Sequence, residues 1–416
     1  MHHGPHRLGM VSPSDWGLAP ATREALAPWT QIGLDSDVWE ERARQATYHW
    51  LMSNWRDEVG AFAGHYKALA RVYEDPQLTN LIAPWQCLAA YDRFGDDELL
   101  IKARRAADWL YGTAVETHPM SVVIGGVHDA WRPDELWTKF TAELVLLNLG
   151  LYTRLHQDTY LARAIEGGGF VAQAERHGFA CKYEQRHARW ITRGWQSFGR
   201  AFAALANLHV VTREDRWLTH AIAWAEMALS IQANDGSYYL IDDEYYSTDL
   251  AADELRALVG AFELTGRVEF CSAAMRFADW HLRMQREDGS WWLTMDRSGN
   301  IVSPYVGPGD IPNIAVALLR CHRVTCERRY LTSALRAMRY ALAQQLTPAD
   351  GSPFVDDPNA LWGYWSWDPR YDHTMSGDQI THLARGIWFT LDYLAGLGAD
   401  QARADVAALH DEGFAF

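Results

Sequence analysis

The sequence predicts an all-α fold, an (α/α)6 barrel or six-hairpin toroid with short β-strands in its connecting loops. Three observations carry this: a sixfold repeat, an alternation between two kinds of helix, and a turn that recurs between them. Apolar segments start near Leu81 (LIAPWQCLAAY), Thr138 (TKFTAELVLLNLGLY), Arg193 (RGWQSFGRAFAALANL), Asp249 (DLAADELRALVGAFEL), Gly309 (GDIPNIAVALLRC) and Gly377 (GDQITHLARGIWFTLDYL). The starts fall roughly 55 to 70 residues apart, a period typical of repeat architectures. Six such pairs closing into a ring enclose a central cavity, with a site expected at its mouth.

The second member of each pair is amphipathic and charged, as suits a helix outside a core. Asp97 to Val115, Asp215 to Gln232, Val268 to Gln285 and Arg328 to Gln345 are of this kind. In the last, Tyr330, Leu331, Ala334, Leu335, Met338 and Leu342 share one face while Arg336 and Arg339 point elsewhere. Three of these segments end in Asp-Gly-Ser, at Asp235-Gly236-Ser237, Asp288-Gly289-Ser290 and Asp350-Gly351-Ser352. Glycine there stops a helix by accepting positive φ. The following stretches, Tyr238 to Ile241 and Trp291 to Thr294, are expected as small strands.

No Pro/Gly/Ser-rich linker divides the chain, which predicts one barrel domain over residues 1–416, with residues 1–35 as an N-terminal arm. No basic segment followed by an apolar run opens the sequence, and no apolar run is long enough to span a bilayer. Five scattered cysteines suit a reducing compartment. The expectation is a soluble, cytoplasmic protein. With 38 Lys+Arg against 53 Asp+Glu and a net charge of −15, nucleic acid and anionic membrane are poor partners. No metal, nucleotide or serine-nucleophile motif is present, so no cofactor is expected.

The 20 tryptophans point to another ligand class. Many lie in the connections, where aromatic faces stack on the apolar faces of sugar rings while acids and amides take the hydroxyls. Trp131, Trp137, Trp190, Trp195, Trp365 and Trp367, with Tyr364, are the candidate contacts of an oligosaccharide. Two segments gather the chemistry. In His128-Asp129-Ala-Trp131-Arg132-Pro133-Asp134-Glu135, Pro133 disfavours a helix through Arg132 and places the acids at the entrance of the second apolar helix. They stand there either as catalytic carboxylates or as partners of the helix dipole. In Trp190-Ile-Thr-Arg193-Gly194-Trp195, Gly194 permits close approach and Arg193 offers a planar fork to a carboxylate or hydroxyls. Near the C-terminus, Asp378, His382 and Arg385 fall on one helical face at the ring mouth, and Ser376 is placed to cap that helix. Asp310, Asp249, Asp253 and Arg256 hold comparable positions on other apolar helices, so a ring of acids and bases faces one cavity.

Trp190 through Trp195 resembles the W-S-R-G-x-x-W segment of the unsaturated glucuronyl and rhamnogalacturonyl hydrolases, and Trp131 to Trp137 is similar to their aspartate-bearing segment. Gln196 and Ser197 depart from the pattern. The resemblance implies an (α/α)6 barrel hydrating an enol ether, with Asp134 as proton donor and Arg193 binding a uronate. Asp129, His128 and Asp378 complete the candidate catalytic set. The leading expectation is therefore a glycoside hydrolase acting on uronic-acid oligosaccharides. The alternative is a lyase or sugar epimerase using tyrosine or histidine, among them Tyr245, Tyr246, Tyr305, Tyr364, Tyr371, His373 and His382. Gln285 to Trp291 also resembles the turn of triterpene cyclases, whose acidic D-x-D-D motif is absent.

Overall fold

The computed structural model describes residues 18–416, so the first part of the predicted arm, residues 1–17, lies outside the described residues. The rest of that arm is packed. Helix α1 (Arg23–Leu26) runs into a 3-10 turn, Ala27–Ile32, whose Trp29 and Ile32 are buried. Helix α2 (Ser36–Gln45) follows, capped by the Asp35 carboxylate, and continues as a π-turn through Leu51.

Five helical hairpins come next: α3 (Ala83–Phe94) with α4 (Asp97–Ala114), α5 (Thr138–Leu155) with α6 (Asp158–Arg176), α7 (Phe198–Thr212) with α8 (Asp215–Ile231), α9 (Thr248–Thr265) with α10 (Val268–Met284), and α11 (Ile311–Thr325) with α12 (Arg328–Ala343). Helices α13 (Gly377–Gly396) and α14 (Ala399–Asp411) end the chain. The odd-numbered helices from α3 to α13 pack side by side, and α13 meets α3, closing the inner ring. The last pair differs from the sequence expectation. The outer partner of α13 is α2, from the other end of the chain, while α14 packs on the 3-10 turn. Arg93 on α3 ties this closure by binding Glu40 of α2 at 2.8 Å and Asp392 of α13 at 3.1 Å.

Burial explains the two helix types. An inner helix touches two inner neighbours, an outer helix and the cavity, and α7 is buried without a break from Phe198 to Leu208. An outer helix covers the ring with one stripe; on α12 the six predicted apolar residues are buried and Arg336 is exposed. The predicted Asp-Gly turns hold at Gly236 (φ 93°) and Gly289 (φ 94°). At each, the Asp carboxylate accepts the N–H of the following serine. Gly351 has no positive φ. Among the described residues, no helix is long and apolar enough to cross a membrane.

The strands lie in the long connections, at the end where the inner helices begin. β1 (Trp55–Arg56) pairs with β2 (Ala61–Phe62). β3 (Tyr66–Lys67) lies between β4 (Val72–Tyr73) and the late strand β12 (Thr374–Met375). β5 (Val127–His128), β6 (Glu135–Trp137), β7 (Lys182–Glu184) and β8 (Arg189–Ile191) form an antiparallel sheet in that order. β9 (Tyr245–Ser247), β10 (Trp292–Asp296) and β11 (Ile301–Val306) form another, with β10 central. The strand expected at Trp291 to Thr294 thus appears as β10, whereas Tyr238 to Ile241 forms no regular strand.

Candidate active site at the barrel mouth

Each inner helix sends a side chain into one central hollow: Trp85 from α3, Glu143 from α5, Arg200 from α7, Asp253 from α9, Asn313 from α11 and His382 from α13. Arg256 and Arg385 complete its polar wall. Arg200 is the hub. Its side chain is only 4% exposed, and Nε lies 2.8 Å from Glu143 Oε1 and 2.5 Å from Asp253 Oδ2. Its Nη2 is 3.7 Å from Asp249 Oδ1. Arg256 binds the other oxygen of Asp253, and Lys139, at the start of α5, binds Asp249. Asp310, buried just before α11, accepts the Thr248 hydroxyl at 3.0 Å.

These neighbours drive like groups to opposite charge states. Burial works against the Asp253 carboxylate, but Arg200 and Arg256 overcome it and hold its pKa far below the usual range. Asp249 is lowered in the same way, by Lys139 and Arg200 against burial. Asp310 goes the other way: burial, then the Asp249 charge, push it up to about 8. Burial likewise raises Glu143, against the pull of Arg200. His382 is pushed down to about 4 by burial, despite the opposing charges of Asp378 and Asp253. At neutral pH the mouth therefore holds ionised Asp249 and Asp253, a protonated Asp310 and a neutral imidazole. A division of this kind assigns acid and base roles to chemically similar groups.

Of the residues expected from sequence, His382 and Arg385 line the hollow. Asp378 lies near enough for its charge to act on both His382 and Asp310. Ser376 does not cap α13 as expected; its hydroxyl donates to the Asp378 carboxylate, which also accepts the Gln379 N–H at 2.9 Å.

The His128 to Asp134 segment is not at a helix entrance. Residues 135–137 pair as β6 with β5 and β7, so α5 starts only at Thr138 and Asp134 sits exposed at the hairpin tip. Asp129 shapes the turn by accepting the N–H of Trp131 at 2.7 Å and of Arg132 at 3.2 Å, and the His128 ring bonds to the Pro133 carbonyl. Arg193 also lies outside the hollow. Its guanidinium is 67% exposed and donates to the Asp242 carbonyl, and α7 begins five residues later, at Phe198. Gly194, at φ 136°, belongs to the preceding turn rather than to the helix start.

The aromatic residues divide. Trp195, 41% exposed, stands beside the site with the Lys139 ammonium 4.6 Å from its ring centre. Trp131 and Trp367 are exposed. Trp137 is nearly buried, with its indole N–H on Glu135. Trp190 packs against Phe170, Tyr183 and His177, and Trp365 against Phe354 and His373. Tyr364 is buried with its hydroxyl on the Pro308 carbonyl. Trp190, Trp365 and Tyr364 thus pack against the protein's own side chains and backbone.

Lys139, Glu143 and Arg200 were not singled out as functional by the sequence reading. Their signal is a charge inside an otherwise apolar inner helix, as in TAELVLLNLG and FGRAFAALA. Such a charge is buried whichever way the helix turns and therefore needs a partner across the ring.

No protein-family model and no curated protein sequence matches the chain. Solved structures do share its fold. A D-mannose isomerase superposes with a TM-score of 0.68 at 12% identity, covering 86% of this chain and 98% of that one. A cellobiose 2-epimerase from Bacillus thermoamylovorans gives 0.69 at 12% identity, covering 85% and 99%. An unsaturated glucuronyl hydrolase from Bacillus sp. GL1 gives 0.59 at 14% identity, covering 90% and 98%. At such identities the likeness establishes the fold: the chain is an (α/α)6 barrel of the kind these sugar-processing enzymes use.

Proposed function

We propose that the protein is a sugar-processing enzyme working by proton transfer at the barrel mouth. The reaction this reading favours is epimerisation or aldose–ketose isomerisation, with His382 as base and Asp310 as acid. What carries it is an imidazole lining the hollow, His382, and a buried carboxyl at the same end of the ring, Asp310, with burial disfavouring the charged form of each. A sugar enolises when a base takes the proton beside its carbonyl while an acid supplies one to the carbonyl oxygen, and both groups here start in the required state. Ionised Asp249 and Asp253 accept sugar hydroxyls, and Arg256 and Arg385 donate to ring oxygens. Trp195 offers its face to the apolar side of the ring. The fold shared with a mannose isomerase and a cellobiose 2-epimerase is in keeping with this.

Glycoside hydrolysis, including that of uronic-acid oligosaccharides, is the second reading. It is favoured by protonated Asp310 standing close enough to ionised Asp249 for that charge to raise it, the acid and carboxylate pairing of glycosidases. The exposed positions of Asp134 and Arg193 weigh against the form of it in which those two act.

One experiment separates the readings: incubation in D2O with reducing mono- and disaccharides and with glycosides, followed by NMR. Epimerisation yields a new aldose carrying deuterium at C2, and aldose-to-ketose isomerisation a ketose carrying it at C1. Release of a reducing end with C2–H intact overturns this in favour of hydrolysis, and inertness towards every carbohydrate overturns both.

A further inference from the structure

We propose that Glu254 is a positioning residue of the site: by capping α7 from the neighbouring helix α9, it sets the height of Arg200, on which the acidic cluster is assembled. Helix α7 lacks a cap of its own. The side chain of Ser197, at the N-cap position, makes no bond to the first turn, and its hydroxyl is buried without a hydrogen-bond partner among the described residues. The missing acceptor comes from α9, where Glu254 Oε2 receives the Gly199 N–H. The helices meet here backbone against backbone. A Cβ at position 199 would lie 2.4 Å from the Asp253 main-chain carbonyl, so only glycine allows the crossing.

Arg200 follows Gly199 directly, and Asp253 precedes Glu254. The same contact therefore registers both members of the Arg200–Asp253 pair, and a small slip of α7 along α9 moves the guanidinium off its carboxylates. Glu254 is fully buried, and its Oε1 has no hydrogen-bond partner among the described residues. Burial, then the Asp253 charge, raise its pKa well above the usual carboxylate range. Glutamine provides the same acceptor.

The inference rests on the proposed function only for its turnover readout. Variants E254Q and E254A are compared by crystal structure, thermal melting and turnover of the sugar that reacts. The expected result is that E254Q keeps Arg200 on Glu143 and Asp253, with kcat within about twofold of the parent. E254A displaces the first turn of α7 and lowers kcat on the order of 100-fold, with KM changed much less. If E254A does not fold, E254D, whose carboxyl is one carbon shorter, replaces it. A folded E254A or E254D in which Arg200 keeps both contacts overturns the proposal, as does an E254Q as damaged as E254A. If no sugar reacts, the proposed function fails, while the place of Arg200 in the variant structures still decides this inference.

Discussion

The two ends of the barrel follow opposite rules. At the closed end each inner helix from α3 to α11 passes to its outer partner through one left-handed residue: Gly95, His156, Arg213, Gly266 or Cys326. The N–H of each returns to the carbonyl four residues back. In three of the turns a threonine hydroxyl, from Thr212, Thr265 or Thr325, accepts the N–H two residues on. At the mouth the connections are long, differ from one another and carry the strands. Repetition at one end makes a ring; variety at the other makes a site.

Two buried guanidiniums sharpen the contrast. Arg200 meets three carboxylates, Glu143, Asp249 and Asp253, whose charges overcome burial and raise its pKa. Arg320, in the second half of α11, shares Glu263 with Arg323, and burial, aided by the Arg323 and Arg256 charges, lowers it to about 10. The interlocked set around Arg200, three carboxylates with Arg200, Lys139 and Arg256, marks the mouth as a place where charge is gathered for use.

Removing the hubs tests this contrast most strongly. Arg200→Met leaves buried Glu143 without its cation and takes one of two from Asp253 and Asp249, and should lower the unfolding free energy by about 3–5 kcal/mol in urea titration. Arg320→Met leaves the partly exposed Glu263 still paired with Arg323 and should lose only about 1–2 kcal/mol. Equal losses would erase the distinction. Next, His382→Asn and Asp310→Asn should each reduce kcat by about 100- to 10,000-fold, whereas Asp134→Asn on the exposed hairpin should leave it within about twofold. Steady-state kinetics on the reacting sugar decides.

A pH profile probes the same acids more gently. kcat/KM should rise through about pH 4 as His382 loses its proton and fall through about pH 8 as Asp310 loses its own. Asp310→Asn should abolish the alkaline limb. For stability, the folded pKa of Asp310 lies above its ordinary value of 3.8. Its burial is therefore harmless below that value and destabilises increasingly as pH rises towards about 8. The Asn variant should gain on the parent in melting runs above pH 8. His382 has the opposite window. Its folded value of about 4 is below the ordinary 6.5, so stability falls as pH drops between them. The smallest effect belongs to the closed end, where Arg213→Gly and Cys326→Gly relieve left-handed strain and should each stabilise by about 1 kcal/mol in thermal melts.

Much of the fold was legible because it is written locally. The spacing of apolar residues located the starts of α5, α9 and α13 to within a residue, and α8, α10 and α12 from their first residue to within two of their last. It failed at α7, placed five residues early, because Trp195 falls in step with the apolar pattern of the helix while Gly194 and pairing with the Leu240 segment hold Arg193 to Ser197 as a turn. It also missed that α2 closes the ring with α13, a pairing between chain ends that no period reveals. At the site, helical spacing brought Asp378, His382 and Arg385 to one face. The His128 to Trp137 segment misled, because a dense run of acids and aromatics reads alike in a strand hairpin and at a helix entrance.

By itself, then, the sequence determined that helices form, that they alternate between buried and amphipathic, and that acids and bases begin the inner ones. Tertiary structure decided which of them meet. The physical reason is that a carboxylate's role depends on burial and on charges brought from helices distant in the chain. Arg200 selects Glu143, Asp249 and Asp253, and Asp310 keeps its proton, only once the ring has closed.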